Sequence, residues 1–451
     1  MIGVEPWLRV SLLLCLFGFL KEFRPSEPYV THYLVGPWKN FTSDQVNQDI
    51  YPVGTYCYLS LLVVVFLVTD VLRYKLVIVL LGAAGVVTFC TLLLGESLLA
   101  MQVVQFFYGL FSAAEVAYYT YIYAQVDRSH YQQVTSHTRT AYLLGRTVSG
   151  VVSQAAVSSG ALDYQQLIYL TLAGMVAATL WSLVLPPVRH SLYFHREDGG
   201  PVPESLDNSV PELLDGSALT SKNSPRGRWA GACSLLWRDF VAAFSQWYVL
   251  KWSLWWALAM CGYLQGLNYV QLLWEVILND TGQSNSRLLN GAVEAAYTII
   301  GAAAALGCAW VRLDWRSVGE LVLGACSLGI GSTLAVAAVC RAMWVAYLCH
   351  VLFGVLFNAM ITIANAEVAK NIKEDSYGLI FGVNTFLALA LQSVLTVVVA
   401  GKGGLELPPR TQFVVYGSYF GALGVVFLLM YVCTLCSKAR TAGVVLCDEE
   451  P

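Results

Sequence analysis

Glu115 stands in an otherwise apolar and aromatic stretch, Ser112-Ala-Ala-Glu-Val-Ala-Tyr-Tyr-Thr-Tyr-Ile-Tyr123. At helical spacing Tyr118, Tyr119 and Ile122 share its face. A carboxylate beside phenol rings suits a cationic ligand, through Coulomb attraction and cation–π contact. The same carboxylate could instead serve the fold, paired with a neighbour. Arg146 lies in a second apolar stretch. Counted from the same end of their helices, Arg146 is ~13 Å deep and Glu115 ~17 Å. Those depths permit an ion pair that offsets the burial of both charges. Alternatively, Arg146 faces a cavity and meets an anionic group on a solute.

Further polar groups recur in the apolar segments. Glu27 belongs to Arg24-Pro-Ser-Glu-Pro-Tyr29, whose two prolines must interrupt a helix and release carbonyls from its ladder. Asn290 and Glu294 are four residues apart and share one helix face. Asn268, Gln271, Asn384 and Gln392 supply uncharged donors and acceptors, each readable alone as interhelical glue and together as a polar cavity. Glu320 and Glu367 fall near segment ends, where water reaches them. No Ser/His/Asp set, zinc-ligand spacing or nucleotide-binding loop is present, so the pattern argues against an enzyme, a bound cofactor or an ATP-driven pump. Cys433 and Cys436 have CxxC spacing without a second ligand pair.

What positions these groups is a set of long helices in a bilayer. The 451 residues are 57% hydrophobic and only 12% charged, about half the charged share of a soluble protein. Net charge is −3 with no basic block, which excludes nucleic acid as a partner. In lipid, long apolar runs must be helical, because backbone groups find partners only within the segment. The expected fold is all-α, of major-facilitator type, with twelve transmembrane helices over 8–34, 52–70, 76–95, 100–126, 138–160, 165–186, 248–274, 289–311, 317–340, 343–369, 377–400 and 411–436. Two six-helix bundles, 1–186 and 248–436, flank a polar, largely disordered cytosolic linker, 187–247, and a tail follows from 437 to 451. With both termini in the cytosol, the inner loops hold sixteen Lys and Arg against five outside, the expected positive-inside bias. The sequons at Asn40 and Asn279 then fall outside, in equivalent loops of the two halves, which suits a plasma-membrane glycoprotein. Asp70 and Arg73, between spans two and three, read either as an acidic–basic gating motif or as positive-inside anchoring. In this architecture the solute site lies between the halves, near the midplane.

Several stretches resemble the vitamin carriers that include the reduced folate carrier and the thiamine transporters. They are Arg24-Pro-Ser-Glu-Pro-Tyr29, Gly36-Pro-Trp-Lys-Asn-Phe-Thr42, Thr69-Asp-Val-Leu-Arg-Tyr-Lys75, Met101-Gln-Val-Val-Gln-Phe-Phe-Tyr108, Trp252-Ser-Leu-Trp-Trp256, Leu267-Asn-Tyr-Val-Gln271, Asn290-Gly-Ala-Val-Glu-Ala295 and Phe381-Gly-Val-Asn-Thr-Phe386. The resemblance covers about nine-tenths of the chain. The folate carrier has arginine where this chain has Glu115 and lysine where it has Gln392, so the resemblance leans to the thiamine branch. It implies a solute site at Glu27, Tyr51, Glu115, Tyr118 and Asn290: charge pairing by the glutamates, ring stacking by the tyrosines, and hydrogen bonding to an aminopyrimidine by Asn290. Arg146, Glu294 and Gln392 complete the candidate set. The departures are Gly54 in place of a tryptophan, Gln105 in place of a glutamate, Arg146 in place of an aromatic or apolar residue, and Gly354 and Glu367 in span ten. Thiamine uptake by alternating access is the leading expectation. Carriage of an anionic vitamin by Arg146, or a transport-silent receptor with a transporter fold, are the alternatives. Titratable Glu27, Glu115 and Glu294 make proton coupling conceivable.

Overall fold

The computed structural model describes residues 5–72, 74–126, 130–188, 237–281, 288–308, 313–372 and 377–447. Arg73 and most of the proposed linker, 189–236, lie outside the described residues, as do the side chains of Asp70, Tyr119 and Ile122.

Twelve helices of 17 residues or more account for most of the described chain: α1 Pro6–Glu22, α2 Tyr51–Val71, α3 Lys75–Leu94, α4 Leu98–Gln125, α5 Tyr131–Ser159, α6 Tyr164–Ser182, α7 Trp247–Asp280, α8 Asn290–Cys308, α9 Trp315–Val339, α10 Met343–Lys370, α11 Tyr377–Val399 and α12 Pro409–Cys447. Eight of the helical segments are long and apolar enough to cross a membrane by length and composition. The helices outside that set include α1, shortened by its proline break, and α5, whose Gln, Ser, His and Arg residues dilute its apolar face. Leu76, Leu80, Val87 and Leu94 stand exposed along α3, an apolar surface suited to lipid.

Local sequence sets the ends. Pro25 and Pro28 stop α1 after Glu22; a short 3-10 turn, Glu27–Tyr29, and a six-residue helix, Val30–Val35, complete the expected first span. Asp163 and Gln166 form a reciprocal capping box at the start of α6. Gly160 closes α5 with φ of 69°, a left-handed conformation that glycine adopts without steric cost. Lys39, in the loop after the first span, donates to the Leu93 carbonyl at 3.1 Å and so neutralises the C-terminal end of α3; burial pushes its ammonium below the usual range.

Several boundaries differ from the sequence reading: α5 begins at Tyr131 where 138 was expected, and α7 runs to Asp280 where 274 was expected. Residues 237–244 are already helical, with Trp237 stacked on Phe240 and Phe244 tilted against it, so ordered structure begins before α7. At the other end, α12 continues to Cys447, past the expected span end at 436.

Small residues bring helices into backbone contact. Gly331 faces the Gly417 carbonyl across α9 and α12, and Gly324 faces Gly424 one or two turns along, the close approach that glycine permits between membrane helices. Gly150 of α5 and Gly291 of α8 do the same between the two halves: a Cβ on Gly150 would lie 2.7 Å from the Gly291 carbonyl oxygen.

Glu320 and Glu367, expected near water, are instead buried and bonded. Lys251 pairs with Glu320 at 2.7 Å and Thr434 donates to it at 2.9 Å, while Tyr248 donates to Glu367 at 2.6 Å and Lys370 pairs with it at 2.7 Å. Lys251, Thr434 and Tyr248 of neighbouring helices, with Lys370 of the same helix as Glu367, have taken the place of water.

Candidate functional site

The proline break in the first span organises the site. Where the helix stops, Lys21, Glu22, Arg24 and Glu27 form a chain of ion pairs. Lys21 meets Glu22 at 2.7 Å, Glu22 meets Arg24 at 2.8 Å, and Arg24 meets Glu27 at 2.7 Å. Tyr108 of α4 donates to Glu27 at 2.8 Å. Lys21 also bonds directly to Glu115. The side chains of Lys21 and Glu22 are fully buried, whereas about a quarter to a third of Glu115 and Glu27 is open.

Arg146 does not pair with Glu115. Depth along a helix leaves its rotation unfixed, and α5 turns Arg146 toward α8, where its guanidinium bonds Glu294 and donates to Tyr142 at 3.1 Å. The pair therefore links the halves. Arg146 remains near enough to Glu22 and Glu27 to act on them electrostatically. The assembled group holds three cations (Lys21, Arg24, Arg146) and four carboxylates (Glu22, Glu27, Glu115, Glu294), so its formal charge is negative.

On α4, Gln105, Tyr108, Ser112 and Glu115 follow helical spacing along one stripe. The Gln105 side chain lies directly over the bare Cα of Gly54 on α2, so these two departures from the thiamine pattern touch one another. Tyr118 is not on that stripe. It is fully buried, with its ring 5.6 Å from that of Phe17 and 5.5 Å from the Lys21 ammonium. Its expected stacking on a solute is taken by Lys21.

Tyr51 and Asn290 belong to a second layer, at the end of the bundle that carries the sequons. Tyr51 bonds Thr31 and packs edge-on against Tyr269 of α7. Asn290 donates to the Pro28 carbonyl at 2.9 Å and accepts from Tyr347 at 2.8 Å. Gln271 donates to the Glu27 carbonyl at 2.9 Å and accepts from the Thr31 amide at 3.1 Å. The carbonyls freed by the prolines are thus held by the opposite half. Tyr29 donates to Gln154 at 2.8 Å and receives the Gly291 amide at 3.2 Å; His32 meets Glu275 at 2.7 Å; Lys402 reaches Asp49 at 2.7 Å. These contacts close the sequon end. At the opposite end the bonds of Lys75 to Leu183, Tyr121 to Pro186 and Lys251 to Glu320 each join helices of one half. Gln392 is buried on α11, and none of the hydrogen bonds among the described residues joins it to Glu115. Asn40 and Asn279 are both exposed.

Sequence reasoning placed Lys21, Glu22 and Arg24 inside the first span, 8–34, but did not select them as site residues. The signal was present: three charges within a span must find partners there. His32 and Glu275 were missed as well.

Two bundles of helices, fastened together at the sequon end and holding a buried charged cluster, define a membrane transporter of the major-facilitator type. Known structures agree on the fold. The nucleoside transporter NupG superposes with a TM-score of 0.60 over 93% of this chain and 99% of its own, at 15% identity. The POT family transporter PepTSo gives 0.64 over 96% and 99%, at 13% identity. The reduced folate carrier family model matches residues 5–415, and the chain belongs to that family. Among its relatives, thiamine transporter 1 of Mus musculus is 41% identical over 97% of this chain and 92% of its own length. Thiamine transporter 2 of Homo sapiens is 38% identical over 94% and 90%. The reduced folate transporter of Homo sapiens is 34% identical over 94% and 72%. The protein is a vitamin transporter, not an enzyme.

Proposed function

We propose that this carrier takes up thiamine by alternating access at the plasma membrane, with both termini cytosolic and Asn40 and Asn279 glycosylated outside. The observation that supports a cation is the charge balance of the central cluster, where four carboxylates face three cations and Glu27, Glu115 and Glu294 remain partly open. The thiamine transporters 1 and 2 also have higher identity to this chain than the reduced folate transporters do. An anionic solute has less support, because the Arg146 guanidinium is engaged by Glu294 and Tyr142.

In this reading the solute cation pairs with Glu115, with Glu27 and Glu294 contributing to the same negative field. Tyr51 and Asn290 act at the closed end, as parts of the gate that the solute must pass. Glu27, Glu115 and Glu294 are the groups through which a proton would couple to transport. Asp70 and Arg73 serve as the inner gating motif.

Uptake of labelled thiamine into transporter-deficient cells tests the proposal. Saturable uptake is expected for the wild type, and a fall of at least tenfold for Glu115→Gln. Absence of wild-type uptake, together with uptake of a folate, would replace thiamine as the solute.

A further inference from the structure

Lys21 occupies a setting suited to an organic cation. Its ammonium lies 5.6 Å from the centroid of Phe111, 5.5 Å from Tyr118 and 5.5 Å from Tyr142, all within cation–π range. Two carboxylates, Glu22 and Glu115, complete the cage. Three rings and an acidic pair make a receptor for an organic cation, and here the protein fills it with its own side chain. We propose that Lys21 is a tethered stand-in for the cationic solute: it holds Glu115 while the site is empty, and the solute displaces it.

The geometry separates the two carboxylates in the way this requires. Glu22 is fully buried and braced from the other side by Arg24 at 2.8 Å. Glu115 is a quarter open and has no such brace in the ion-pair chain. An incoming cation can reach Glu115 and take its charge, while Lys21 stays on Glu22. Burying an unpaired carboxylate at mid-membrane is costly, so an empty carrier must either keep the solute or replace it. A lysine on its four-carbon stem supplies the replacement at every cycle, and the carrier can reorient empty without exposing a bare charge. The stand-in also lowers apparent affinity, because solute must compete with it. The inference rests on the cation reading of the site given above.

Two arms test it on full-length purified protein. In the first, Lys21→Ala is titrated with n-butylammonium and followed by thermal denaturation. A saturable rise in melting temperature that is absent from the wild type, and lost again in Lys21→Ala with Glu115→Gln, is expected. In the second, thiamine binding is measured for the wild type and Lys21→Met, and roughly tenfold tighter binding by the variant is expected. No butylammonium effect, or thiamine binding that is unchanged or weaker in Lys21→Met, overturns the stand-in. If butylammonium stabilises Lys21→Ala but neither protein binds thiamine, the cage stands and the choice of vitamin falls. Should both Lys21→Ala and Lys21→Met fail to yield monodisperse protein, the proposal also falls, since Glu22 keeps Arg24 and a contact to Glu115 that opens in every cycle cannot be required for folding.

Discussion

Asn290 of α8 holds the carbonyl of Pro28, 2.9 Å away, across the boundary between the two halves. The bond exists because Pro28 lies where the first span has lost its helical ladder, so its carbonyl is free to accept from outside the segment. Tyr347 fixes the amide from behind at 2.8 Å. Asn290→Ala removes the one bond of the two that crosses between the halves, worth about 1 kcal/mol. A shift of roughly fivefold toward the form open at the sequon end is expected, read as faster labelling of a cysteine introduced beside Tyr51.

The Arg146–Glu294 pair makes a second prediction. Arg146→Leu leaves a partly buried carboxylate without its partner, a loss on the order of 3 kcal/mol. The melting temperature should drop accordingly. Adding Glu294→Leu should restore most of it, whereas adding Glu115→Gln should not. Rescue by the Glu115 change instead would mean that Arg146 serves the other carboxylate.

Gly150 offers a test by wedge. A side chain there would press on the Gly291 carbonyl at 2.7 Å and the Ala295 amide at 2.9 Å, both backbone atoms that cannot swing away. Overpacking of this kind costs about 1–3 kcal/mol. Gly150→Val should therefore keep the sequon end apart, raising external cysteine labelling and lowering vitamin uptake at normal surface expression.

Gly54 tests the neighbourhood of the α4 stripe. A Cβ there would first meet the Gln105 side-chain oxygen, the end of a flexible amide that can move aside. Gly54→Trp therefore requires Gln105 to swing away. A new ring beside the site adds cation–π attraction of about 0.5–2 kcal/mol, so the KM for thiamine should fall several-fold in uptake assays.

The sequence carried the architecture because its signals are periodic or compositional. Apolar run lengths placed the helices, the two prolines placed the break after Glu22, and the four-residue spacing of Asn290 and Glu294 put both on the face that meets the other half. Partnerships were harder to read. Arg146 and Glu115 share a depth, yet depth is only one of two coordinates on a helix, and rotation sends Arg146 to Glu294. Tyr118 follows Glu115 by three residues, yet packing against Phe17 turns its ring to α1. Lys21 lay inside the expected first span, yet nothing in its spacing named Glu115 of α4 as its partner.

Asn290 and Gln271 grip peptide carbonyls at Pro28 and Glu27, not side chains. A fastening of that kind is indifferent to which residues decorate the chain around it. Side chains on the α4 stripe and beside it, such as Gly54 and Gln105, can therefore change without touching the latch. What fastens the two halves there is the peptide backbone itself, laid bare by the prolines.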